Sequence, residues 1–138
     1  MRIIKSNIRT SEYVADTMAI VLYLENRKLP SKIKNIFNDT VSGKHQLILS
    51  AVSLMEIGYL FEKKRIDTSI SSVVKLTREN ENFVIQSLDA MTVEEAFKIK
   101  AIPELHDRLI TATASVLSAE LITNDPVIHQ SGHVKVIW

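Results

Sequence analysis

Two rhythms of apolar residues alternate along this chain. Short runs such as Gln46-Leu47-Ile48-Leu49, Phe83-Val84-Ile85 and Leu121-Ile122-Thr123 have the length of buried strands, and each is followed by a segment with helical spacing. Glu12 to Ala15 predicts a first strand ending at Asp16-Thr17, after which Ala19 to Leu24 continues as a helix of core residues. Leu29-Pro30-Ser31 is a break, and Ile33, Ile36 and Phe37 then predict a helix that ends before Asp39 and Gly43. Ser50 is placed to cap a helix running to about Lys64, with Val52, Met55, Tyr59 and Leu60 expected on its inward stripe. Asp67-Thr68-Ser69 opens a helix carrying Ile70, Val73, Val74 and Leu76. Thr92-Val93-Glu94-Glu95 has capping-box spacing and predicts a helix through Lys98, which leaves Asp89 as a loop acid. Beyond Pro103, Ile110, Ala114 and Leu117 follow Asp107 at steps of three, four and three, the inward face of a helix ending near Ala119. Val134-Lys135-Val136-Ile137 closes the chain as a last strand.

This order predicts an α/β fold with a central parallel sheet covered by helices on both faces. Residues 1–11 are polar and basic and read as a lead-in to one domain over residues 12–138. In such sheets ligands bind beyond the carboxyl ends of the strands, where Asp16 and Asp125 both fall.

Composition changes the picture by exclusion. At 138 residues, 46% hydrophobic and 24% charged, the chain is of ordinary size for one globular domain. Its longest apolar run, Ala19 to Leu24, is too short to span a bilayer, and no apolar export signal follows Met1, which predicts a cytoplasmic protein without a membrane partner. A net charge of +1 gives no global polyanion footprint, so any nucleic-acid contact must be local. The three glycines assemble no GxGxxG or P-loop pattern. Without cysteine, disulfides and thiolate metal ligands are excluded.

Four acids remain as candidate chemistry. Asp16, Asp107 and Asp125 each precede or open a helix and are explicable singly as caps, Asp125-Pro126 especially. Glu56 is harder to explain structurally, because it lies in mid-helix among Met55, Ile57 and Tyr59, where no backbone N–H is free. Together the four would converge on one sheet edge, and crowded carboxylates need a cation or a proton. An oxygen-only donor set points to Mg²⁺ or Mn²⁺, which suits phosphodiester hydrolysis. Asp16→Asn and Asp107→Asn should then relieve repulsion in the metal-free fold. His45, His106, His129 and His133 share no ligand spacing on one helix and read as surface or loop residues; beside Asp107, His106 is a candidate phosphate contact and Arg108 a candidate nucleic-acid backbone contact. Lys63-Lys64-Arg65 reads as a solvated helix end.

At this point the residues resemble a known family. Asp16-Thr17, Ser53-Leu54-Met55-Glu56, Asp107-Arg108-Leu109-Ile110-Thr111-Ala112-Thr113-Ala114, Leu121-Ile122-Thr123-Asn124-Asp125 and Val136-Ile137-Trp138, in that order, resemble a PIN-domain nuclease, most closely a VapC-type toxin. The resemblance implies a three-layer α/β/α sandwich and a metal-dependent endoribonuclease restrained by a cognate antitoxin, with homodimerisation expected. It implies that Asp16, Glu56, Asp107 and Asp125 hold Mg²⁺ or Mn²⁺ directly or through water. It implies also that Thr123 orients a bound water or Asp125, with Thr17 in a similar part, and that the products carry 5′-phosphate and 3′-hydroxyl ends. Two departures stand out: the lead-in before Asp16 is long for such toxins, and His106 stands where another residue type is common.

Two other readings compete. One is a PIN-like domain kept as a binding module without catalysis. The other is a doubly wound Mg²⁺ phosphotransferase or receiver domain, against which Asp16-Thr17-Met18 lacks the second acid of an Asp-x-Asp motif.

Overall fold

The computed structural model describes residues 12–138; the lead-in of residues 1–11 lies outside the described residues. Five strands form one parallel sheet: β1 (Glu12–Ala15), β2 (Gln46–Ser50), β3 (Phe83–Gln86), β4 (Glu120–Ile122) and β5 (Val136–Ile137), in the order β3-β2-β1-β4-β5. Seven helices among the described residues connect them: α1 (Thr17–Leu24), α2 (Ser31–Val41), α3 (Ala51–Glu62), α4 (Ile70–Glu79), α5 (Ala90–Ala96), α6 (Leu105–Leu117) and α7 (Pro126–Ser131).

Successive strand residues point to opposite faces, and the core divides accordingly. Ala15, Leu47, Leu49 and Ile122 face a cluster with Ile20 and Val21 of α1, Ile33 and Phe37 of α2, Ile57 of α3 and Val73 of α4. Val14, Ile48 and Leu121 face a second cluster with Ala96, Leu109, Ile110, Ala112, Ala114 and Ile128 from α5 to α7. Two cores separated by one sheet are a three-layer α/β/α sandwich, as the alternating pattern predicts. On the first face Tyr23 stacks on Phe37 with centroids 4.3 Å apart.

Several sequence-based expectations are corrected. Helix α2 continues past Asp39 to Val41 and is closed by Ser42 and the left-handed Gly43 (φ 82°). In α3 the inward residues are Val52, Ser53 and Ile57, whereas Met55 and Tyr59 are 51% and 56% exposed and Leu60 is half-buried. Apolar residues occupy more than one side of α3, so spacing alone could not choose the core face. Asp89 is not a bare loop acid: it caps α5 by accepting from the Thr92 N–H (2.9 Å) and hydroxyl, so Thr92 is the third residue of that helix rather than its cap. His45 is buried, its Nε2–H donating to Ile36 O at 2.8 Å, because β2 begins beside the end of α2.

The β1–β4 pair flanks the point where the connections change face: α1 to α4 cover one side, α5 to α7 the other. The segments leaving the carboxyl ends of these two strands therefore diverge and leave a cleft. Asp16 N–H donates to Ile122 O at 3.0 Å, which ties those two ends together at its floor.

Candidate active site

Asp16, Glu56, Asp107 and Asp125 line one cleft of about 460 Å³, with Thr17, Leu60, Ile110 and Asn124 between them. The four acids come from four segments, and each is held differently.

Asp16 ends β1 and caps α1, its Oδ1 accepting from Ala19 N–H at 2.8 Å. Burial raises its pKa; the Thr123 hydroxyl and Ala19 N–H act against that, while the charges of Asp125 and Glu56 act with it. Asp125 caps α7, Oδ1 accepting from Val127 N–H (2.8 Å) and Ile128 N–H (3.3 Å) ahead of Pro126. Its own N–H donates to Thr123 Oγ1 at 3.1 Å, and Thr123 is fully buried with its carbonyl accepting from His129 Nε2 at 2.7 Å. Thr123 is thus a support of the Asp125 loop.

Glu56 lies on α3 facing the cleft. The Thr17 hydroxyl donates to its Oε1, Ser53 Oγ lies 3.0 Å from the same hydroxyl, and His106 Nδ1 stands 3.0 Å from Oε2. Ser53 and His106 are therefore neighbours of the acids; Ser53 is adjacent to the Leu54-Met55-Glu56 segment, but its contact with Thr17 spans 36 residues and has no local signal.

Asp107 is the exception. It does not cap its helix, because Glu104 caps α6 by accepting from Asp107 N–H at 2.7 Å. Among the described residues no donor reaches the Asp107 carboxylate. Burial, followed by the charges of Glu104, Asp125, Glu56 and Asp16, raises its pKa to about 6. Glutamate is not among the residues favoured at a helix N-cap, so the Glu104 cap left no clear signal in the sequence.

Of the candidate nucleic-acid contacts, His106 lines a neighbouring groove of about 490 Å³ with Met55, Glu56, Tyr59 and Leu60, and Glu56 and Leu60 are the residues that groove shares with the cleft. Arg108 is committed elsewhere: its Nε–H donates to Ile102 O, and its guanidinium lies 5.9 Å from the Phe97 ring centroid.

These acids supply carboxylate oxygens, and Asp107 has no competing donor, a set that suits a hard divalent cation. Among the described residues, however, no three Asp, Glu or His side chains are grouped closely enough to hold a metal ion as they stand. The donor set fits in kind, and its four members would have to draw together around the ion. No described helix is long and apolar enough to cross a membrane.

Comparison with known proteins agrees with this architecture. No curated protein matches the sequence. Among solved structures the chain is similar to VapBC2 from Rickettsia felis bound to a DNA fragment from its promoter (18% identity, 92% of this chain and 98% of that one, TM-score 0.69). It is similar also to DNA-bound VapBC from Salmonella typhimurium (15%, 92% and 97%, 0.67) and to FitAcB from Neisseria gonorrhoeae (17%, 91% and 96%, 0.60). The PIN domain model matches residues 13–133. With the five-stranded parallel sheet and the acids at its carboxyl edge, that match assigns the chain to the PIN-domain nuclease family.

Proposed function

We propose that this protein is a metal-dependent endoribonuclease that hydrolyses RNA phosphodiester bonds and acts in the cytoplasm as the toxin of a toxin–antitoxin pair. The observation that carries the reading is Asp107, a carboxylate in a cleft of acids with no donor to satisfy it and a pKa raised to about 6. A half-buried acid kept without partners costs stability, and such costs concentrate at functional sites.

Asp16 and Asp107 would hold the principal Mg²⁺ or Mn²⁺, with Glu56 and Asp125 completing the shell through water or at a second ion. When bound there, the ion polarises the phosphoryl group and lowers the pKa of the attacking water. The protein's own groups do the rest: the α1 cap fixes Asp16, the Thr123 hydroxyl and α7 fix Asp125, and Thr17 fixes Glu56. Ile110 and Leu60 line the same cleft as the acids and supply its apolar wall. The toxin role and the antitoxin partner draw on the likeness to VapBC and FitAcB and on the sequence motifs, while a homodimer is expected from the family resemblance alone.

Incubating the purified protein with total RNA in Mg²⁺ or Mn²⁺ and mapping the ends tests the chemistry. Internal cuts leaving 5′-phosphate and 3′-hydroxyl ends are expected, and chelation should abolish them. Cation binding without any cleavage would instead favour a silent binding module, and a phosphoenzyme formed from a small phosphodonor would favour a receiver-type protein.

A further inference from the structure

Glu56 differs from the other three acids in that each of its oxygens meets a side chain from another element: Thr17 of α1 at Oε1 and His106 of α6 at Oε2. The hydrogen bond to His106 joins residues 50 apart in sequence and spans two helices. We infer that His106 is a positioning residue for Glu56, its Nδ1–H clamping Oε2 so that the carboxylate stays aimed at the cleft. The inference rests on the metal-nuclease reading above.

The ring's protonation pattern follows from its surroundings. Both groups near Nδ1, Glu56 Oε2 at 3.0 Å and Glu104 Oε2 at 3.6 Å, are carboxylate oxygens that only accept, so Nδ1 carries the hydrogen. A merely local duty at the helix start is not needed, since Glu104 already caps α6. Glu56 itself is a long side chain, 24% exposed, on the wall shared with the apolar groove of Met55 and Tyr59. Released from either donor it would sample several rotamers, and a ligand that must be ordered at the moment of binding binds more weakly. Thr17 holds one oxygen from the α1 side and His106 the other from the α6 side, so the two donors together define one orientation. Partners that orient metal-binding side chains typically contribute about 10- to 100-fold in affinity.

Mn²⁺ binding to the full chain, followed by the electron paramagnetic resonance signal of free Mn²⁺, tests this without reference to cleavage. H106L removes the donor. H106Q is polar and carries an amide nitrogen near the Nε2 position, whereas H106N carries one near the Nδ1 position. H106L and H106Q should each bind Mn²⁺ roughly 10-fold more weakly than wild type, and H106N should recover most of the loss. In an E56Q background, H106L should add little further loss, because its effect passes through that carboxylate. Wild-type affinity in H106L or H106Q would overturn the assignment, as would H106N binding no better than H106Q, or a full further loss in E56Q/H106L. Absence of Mn²⁺ uptake by the wild-type protein would sink the metal-nuclease reading itself, an outcome distinct from these. Circular dichroism melts of H106Q and H106N, both polar replacements of similar size, establish that the comparison is made between folded proteins.

Discussion

Glu25 and Asp107 are both half-buried acids beside helix ends, and the structure treats them in opposite ways. Glu25 Oε2 accepts from Asp67 N–H (2.9 Å), Thr68 N–H (2.9 Å) and the Thr68 hydroxyl (2.7 Å), which fastens the loop before α4 to the end of α1. Burial alone would raise its pKa, but those donors, with Arg27, outweigh it and the pKa is lowered. At Asp107 burial again comes first, no donor answers it, and four neighbouring carboxylates push the same way. Hydrogen-bond supply, not burial, separates an acid that holds the fold together from one available to a ligand.

The sharpest way to break this comparison is activity. Asp107→Asn should lower RNA cleavage by about 100-fold or more, since cation-assisted stabilisation of phosphoryl charge is worth several kcal/mol. Glu25→Ala should cleave at the wild-type rate per folded molecule. Equal losses in gel-based cleavage assays would erase the distinction.

Stability should rank the two the other way. Glu25→Ala strands two backbone donors and should cost about 2 kcal/mol in urea unfolding. Asp107→Asn loses no hydrogen bond and should be neutral or stabilising in chelator. A destabilisation as large as that of Glu25→Ala would mean that Asp107 serves the fold after all.

A smaller effect is expected from the cation. Mn²⁺ at ten times its dissociation constant should stabilise the wild-type protein by about 1.4 kcal/mol, and Asp107→Asn by much less. Calorimetric melts with and without Mn²⁺ measure the difference.

The pH dependence should be subtler still and opposite in sign at the two acids. Between about pH 4 and 6 the folded protein binds more protons at Asp107 than the unfolded chain does, so stability falls as pH rises through that window. For Glu25 the lowered pKa contributes stability above its unfolded value and loses it as pH falls through the folded one. In chelator, Asp107→Asn should flatten the decline by on the order of 1 kcal/mol, allowing for solvent screening at a half-exposed site. An unchanged urea midpoint profile from pH 4.5 to 7 would contradict the unsatisfied setting of Asp107.

Much of the fold was legible because periodicity is a local property. The runs at Leu47-Ile48-Leu49 and Leu121-Ile122 are strands, Asp16 and Asp125 stand at the ends of neighbouring ones, and the Asp107, Ile110, Ala114 stripe is the inward side of α6. The face of α3 was not legible, because Met55 and Tyr59 have the spacing of core residues yet border an open groove. Nor was the burial of His45, which depends on where α2 ends against β2.

By itself, then, the sequence determined the alternating α/β order, the parallel sheet and the placing of Asp16 and Asp125 at its carboxyl edge, since apolar spacing and capping chemistry act over a few residues. Only the tertiary structure decided what each acid is free to do. Asp16 and Asp125 are engaged by helix N–H groups, Glu56 is gripped by Thr17 and His106 from 39 and 50 residues away, and Asp107 is left without a donor. Desolvation and long-range hydrogen bonds arise where separate elements meet, and no local pattern in the chain encodes them.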